Sequence, residues 1–129
     1  MSRKPANRPT DSELAILRVL WESGPSTVRQ VQEELERREP VGYTTVLKLL
    51  QIMTEKHLVE RDESQRAHVY RARDSREATQ RHLIGDLLDR AFDGSAAKLV
   101  LQALAARPAS DQEMTEIRKI LDDFAGDEP

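Results

Sequence analysis

At 129 residues the chain has room for one compact domain, or for a small domain with an appendage whose core a partner completes. Hydrophobic residues make up 38% and charged residues 33%, a balance that suits a soluble, helix-rich protein with a limited core. The absence of cysteine excludes disulfides, thiolate metal sites and a cysteine nucleophile. No window approaches the roughly 18 consecutive apolar residues of a membrane span, and the opening MSRKPANRPT lacks the apolar centre of a signal peptide. A cytoplasmic location without membrane insertion is the expectation.

The formal charge of −3 is unevenly divided. Residues 1–73 hold 13 Lys and Arg against 11 Asp and Glu, a surplus of +2, whereas residues 74–129 hold 7 against 12, leaving −5. Opposed signs are compatible with a front half that faces phosphates and a back half that meets something else.

In chain order, MSRKPANRP reads as a flexible basic arm over residues 1–9. Thr10-Asp11-Ser12-Glu13 supplies a capping box, so a helix starts there, with Leu14, Ile16, Leu17, Val19, Leu20 and Trp21 forming a broad apolar face until Gly24-Pro25 stops it. Ser26 is the expected cap of a second helix whose Val28, Val31 and Leu35 face inward, and Glu39-Pro40-Val41-Gly42 breaks it. A third helix follows at once. Its Val46, Leu49, Leu50 and Met53 fall at i, i+3, i+4 and i+7, the spacing of one buried face. The runs 58–61 and 67–71, flanking a polar tip at 62–66, read as a hairpin. Three helices and a hairpin in this order are those of a winged helix-turn-helix, expected over residues 10–73.

The remaining residues, 74–129, read as helical. Asp74-x-x-Glu77 opens a helix with a seam of Leu83, Ile84, Leu87, Leu88, Ala91 and Phe92, and Asp93-Gly94-Ser95 interrupts it. A second helix carries Leu99, Val100, Ala103 and Leu104 as far as Arg107-Pro108. Ser110 to Glu113 caps a third, with Met114, Ile117, Leu121 and Phe124 on one side. About 55 residues is close to the lower limit for an independent core, so these narrow seams need another surface. Dimerisation through Leu83, Leu87, Leu88, Phe92, Leu99, Val100, Leu104, Ile117, Leu121 and Phe124 is the expected answer; packing on the first domain is the alternative. The fold class is therefore mainly α with a small β-hairpin, a winged helix-turn-helix domain followed by a C-terminal helical dimerisation domain.

The polar flank of the third helix has the composition of a base-reading surface. In a helix-turn-helix the second helix of the pair enters the major groove, where phosphate contacts fix register and base edges discriminate. Thr44 and Thr45 can donate to or accept from bases or phosphates. Lys48 can reach guanine O6/N7, and Gln51 can pair with adenine N6/N7. Leu47 sits at the flank for an apolar contact, and Tyr43 is placed to bond a phosphate. Arg61, Arg66 and Arg71 lie in or beside the wing, where cations bind sugar-phosphate backbone. A merely solvated helix face would have a similar polar stripe.

The run GYTTVLKLLQIMTEKHLVER, followed by a wing ending in His68-Val69-Tyr70, resembles the penicillinase-repressor (BlaI/MecI/CopY) family of transcription factors. Leu14 to Trp21 is similar to the family's first-helix motif, and Lys98-Leu99-Val100-Leu101 to a segment of its C-terminal helices. The resemblance implies a winged-helix homodimer that represses transcription from a palindromic double-stranded DNA operator, with a membrane-bound sensor protease as upstream partner. His57 stands where the family usually has glycine, a substitution that implies some strain in the left-handed helix cap. Gln102-Ala103 aligns with the Asn-Phe cleavage site of antibiotic-responsive members. The cysteine-rich tail of the copper-responsive branch is absent.

No cofactor or metal is expected. His57, His68 and His82 are the only histidines, and no HExxH, phosphate-binding glycine loop or Ser/His/Asp arrangement occurs at motif spacing, so an enzyme is not expected. The remaining rival is a winged-helix protein-interaction adaptor without DNA readout. Salt-sensitive binding to duplex DNA separates the two.

Overall fold

The structure is a computed structural model that describes residues 8–126. Most of the arm expected over residues 1–9 lies outside the described residues. The chain separates into two compact units that meet in sequence between Leu83 and Ile84.

The first unit is a winged helix. Helix α1 (Asp11–Ser23) begins at the expected capping box: Thr10 Oγ1 accepts from the Glu13 amide at 3.2 Å, and Glu13 Oε1 accepts from the Thr10 amide at 2.9 Å. It ends at Gly24, whose φ of 81° and ψ of −171° only glycine adopts without strain. Helix α2 (Val28–Glu36) is capped by Thr27, which forms a capping box with Gln30, and not by Ser26 as expected. Ser26 is instead buried in a two-residue strand, β1 (Ser26–Thr27), which pairs antiparallel with a strand of the wing.

Helix α3 (Tyr43–Glu55) follows a turn pinned by polar side chains of α2. Gln32 donates to the Val41 carbonyl at 3.0 Å, and Glu36 accepts from the Val41 amide at 3.1 Å. The C-terminus of α3 closes as a Schellman motif, with the Leu58 amide on the Met53 carbonyl and the His57 amide on the Thr54 carbonyl. His57 occupies the left-handed position with φ of 63°, as its alignment with a family glycine implied.

The wing is β2 (Val59–Asp62) and β3 (Val69–Ala72), in the register Glu60↔Arg71 and Arg61↔Tyr70. With β1 they make a three-stranded antiparallel sheet in the order β1-β3-β2, where the sequence reading expected a hairpin alone. A two-residue strand has no periodicity to recognise; pairing with Val69 and Tyr70 creates it. Ile16, Leu17 and Leu20 of α1, Val28 and Val31 of α2, and Val46, Leu50 and Met53 of α3 close over Val59 and Tyr70 of the wing. Leu49, expected inside, is only partly buried at the edge of this cluster.

Helix α4 (Arg76–Ala91) is opened by Ser75, whose hydroxyl accepts from the Ala78 amide at 3.0 Å; the expected opening at Asp74 falls just outside it. Trp21 anchors this entry by donating from Nε1 to the Asp74 carbonyl at 3.0 Å, with the Arg76 guanidinium 5.7 Å above its ring.

The second unit continues α4 and adds α5 (Ala96–Ala106) and α6 (Asp111–Gly126), capped by Ser95 and Ser110. Asp93 and Gly94, both at positive φ, make the expected break. Among the described residues from Ile84 onward, none is buried. Val100, Leu121 and Phe124 are exposed by 46%, 61% and 72%.

Candidate nucleic-acid interface

Helix α3 is held rigidly on one side and open on the other. Val46, Leu50 and Met53 have no exposed surface, which fixes the rotation of the helix, and that rotation turns Thr44, Lys48 and Gln51 outward as one stripe. The other candidate residues of α3 divide to its two sides. Tyr43 and Leu47 line a cleft that faces the wing, whereas Thr45 lines a second cleft with Ser12, Leu35, Arg38 and Leu49. Gly42 has no side chain to accept a hydrogen bond from the first-turn amides of α3.

The wing cations differ in their surroundings. Arg61 is engaged by Glu63, with Nε–Oε2 at 2.7 Å and Nη2–Oε2 at 2.6 Å. A hydrogen bond with Tyr70, then the one with Glu63, raises the Arg61 pKa above its ordinary value. Arg71 is engaged by Glu60 at 2.7 and 3.0 Å, its cross-strand neighbour. Asp62 is held below the ordinary carboxylate range by hydrogen bonds from the Ser64 side chain and amide. Glu60, Asp62 and Glu63 thus match the formal charge of Arg61, Arg66 and Arg71.

The structure also places residues here that sequence reasoning missed. Arg29 of α2 lies 5.4 Å from the centroid of the Tyr43 ring, and together with Thr27, Arg66 and His68 it lines the cleft of about 460 Å³ beside Tyr43 and Leu47. Helical spacing alone puts Arg29 on the outer side of α2, away from Val28 and Val31. Its proximity to Tyr43 arises only when α2 and α3 pack.

Among the described residues no cluster of histidines and carboxylates could hold a metal ion, and no helix is long and apolar enough to cross a membrane. A sequence profile of the family described as penicillinase repressor matches residues 9–123. The chain belongs to the penicillinase repressor family. Two relatives described as the transcriptional regulator BlaI, from Mycobacterium tuberculosis strains CDC 1551 / Oshkosh and ATCC 25618 / H37Rv, are each 35% identical over 103 residues. The match covers 79% of this chain and 75% of each relative. Membership bears out the resemblance carried by residues 42–61 and makes the chain a transcriptional regulator, not an enzyme.

Proposed function

We propose that this penicillinase repressor family member binds a palindromic operator in double-stranded DNA as a homodimer and represses transcription. In this reading residues 10–73 are the DNA-binding portion and residues 74–129 the dimerisation portion. The observation that carries it is the rigid presentation of Thr44, Lys48 and Gln51 on α3. Direct readout needs several donors and acceptors in fixed register, and a helix locked by Val46, Leu50 and Met53 provides it. Tyr43, Leu47 and Arg66 share the cleft beside this stripe, Arg61 and Arg71 are wing candidates that line a separate cleft, and Thr45 is the candidate contact on the far side of α3.

The helical second unit supports the dimer. Leu87, Val100, Leu121 and Phe124 remain exposed in one chain, along with Ile84, Leu101 and Ile120, which the dimer residues singled out from sequence did not include. Apolar helix faces of this kind find their core in a second copy related by a twofold axis. The same axis calls for two half-sites about one helical turn, or a multiple of it, apart.

A membrane-bound sensor protease is the upstream partner that the family implies. Gln102-Ala103 stand within α5, so cutting at that bond requires the helix to open locally, because proteases take extended backbone. Release from DNA without scission at this bond is therefore the reading we favour.

The decisive experiment is selection of duplex fragments retained by the purified protein, followed by affinity measurements over a salt series. Recovery of a twofold-symmetric sequence bound with steep salt dependence supports the reading. Equal retention of all duplexes, or none, sinks it and leaves the adaptor.

A further inference from the structure

We propose that one backbone phosphate of a bound duplex is seated in the cleft between the first turn of α3 and the tip of the wing, held by Arg29 and Arg66. The strand arginines Arg61 and Arg71 contribute little to this electrostatic contact. The inference rests on the DNA-binding reading above and assigns the phosphate contacts within it.

The first reason is competition. Arg61 and Arg71 already have carboxylate partners, Glu63 and Glu60, at hydrogen-bonding distance. Moving either arginine to a phosphate exchanges one anion for another and leaves the abandoned carboxylate beside the DNA, where it repels. Arg29 and Arg66 have no carboxylate partner among the described residues. A phosphate adds to their interactions without displacing an ion pair.

The second reason is convergence. Arg29 comes from α2, Tyr43 from α3, and Arg66 and His68 from the wing tip, yet all four line one cleft of about 460 Å³. Leu47 lines it too, on the same helix as the outward stripe of Thr44 and Lys48, so a phosphate seated there lies next to the base-reading surface. The uncapped start of α3 adds its positive end to the same wall.

The third reason is preorganisation. Arg29 is stacked over Tyr43 at 5.4 Å, which restricts a side chain that otherwise loses rotamer entropy on meeting a phosphate. The Tyr43 hydroxyl can donate to the same phosphate.

The test uses the full-length protein and a mixed-sequence duplex, with affinity read by fluorescence anisotropy over a salt series and folding checked by circular dichroism. Arg29→Gln and Arg66→Gln should each weaken binding roughly tenfold and flatten the slope of log K against log salt by about one. Arg29→Lys, which keeps the charge, should keep the slope. The charge-neutral double replacements R61Q/E63Q and R71Q/E60Q should leave the slope at the wild-type value. If the slope instead falls in the double replacements, or stays unchanged in both Arg29→Gln and Arg66→Gln, the cleft is not the phosphate seat even though DNA binding stands. If the wild-type protein shows no salt-dependent binding, the underlying reading fails and the inference with it.

Discussion

The Lys56 ammonium lies 2.7 Å from Glu13 Oε1, joining the C-terminal end of α3 to the first turn of α1. The Glu13 side chain is only 3% exposed and that of Lys56 17%. The same carboxylate oxygen accepts from the Thr10 amide, and Lys56 also donates to the Arg8 carbonyl at 2.9 Å. One ion pair therefore closes the cap of α1 and ties down the helix that presents the polar stripe.

Removing the cation should be costly, because it leaves an almost enclosed carboxylate without its partner. Lys56→Met is expected to lower stability by about 2–3 kcal/mol, below the full buried-pair value because Lys56 keeps some solvent contact. Glu13→Gln retains an acceptor for the cap and should lose about 1 kcal/mol. Urea denaturation measures both; losses under about 0.5 kcal/mol for Lys56→Met would mean that water replaces the pair.

His57 gives a prediction of opposite sign. A side chain at φ of 63° carries about 1–2 kcal/mol of left-handed strain. Glycine relieves it but gains about 0.4–1 kcal/mol of unfolded-chain entropy. His57→Gly should thus stabilise the protein by about 0.5–1 kcal/mol, while His57→Val, β-branched at positive φ, should destabilise it. A rise in melting temperature for the first and a fall for the second is the expected pair of results.

Lys48→Ala separates two roles for the centre of the exposed stripe. If the ammonium reads a guanine, binding to the selected operator should fall by roughly 1–3 kcal/mol and preference at that base pair should relax. If it meets only phosphate, affinity should fall evenly across sequences and the salt slope should drop by about one. Competition assays with single-base operator variants distinguish the two, and no change in either would remove Lys48 from the interface.

The proposed self-association through the second unit should be lost when two of its exposed apolar residues become charged. Leu121→Asp combined with Phe124→Asp is expected to weaken the dimer by about 2 kcal/mol or more, read by sedimentation equilibrium, with the first unit still folded. Operator affinity should drop in parallel, since one half-site then binds alone. An unaltered dimer would place the interface elsewhere.

Much of the fold was legible from local pattern. The Thr10–Glu13 capping box, the Val46, Leu50 and Met53 face of α3 and the Ser110 cap of α6 all lie within a turn or two of chain, and helical geometry fixes how such neighbours meet. The paired edge strand at Ser26–Thr27 was not legible, because two residues carry no alternation and the capping choice between Ser26 and Thr27 depends on which of them β3 takes. The candidate site divided in the same way. Helical spacing separated the polar stripe from the buried face, but it was silent on Arg29 meeting Tyr43 and on Glu60 and Glu63 occupying Arg71 and Arg61.

By itself, the sequence determined which residues become helices, which face of each helix is apolar, and that the chain resembles the penicillinase repressors. The first two follow from spacing along one segment, and the resemblance from the residues of the run 42–61. Tertiary structure alone decided which cations are already neutralised, that Lys56 closes on Glu13, and that Arg29, Tyr43 and Arg66 share a cleft. The physical reason is that charge pairing and clefts are set by side chains from distant segments, whose distances exist only after the core of α1, α2, α3 and the wing has packed.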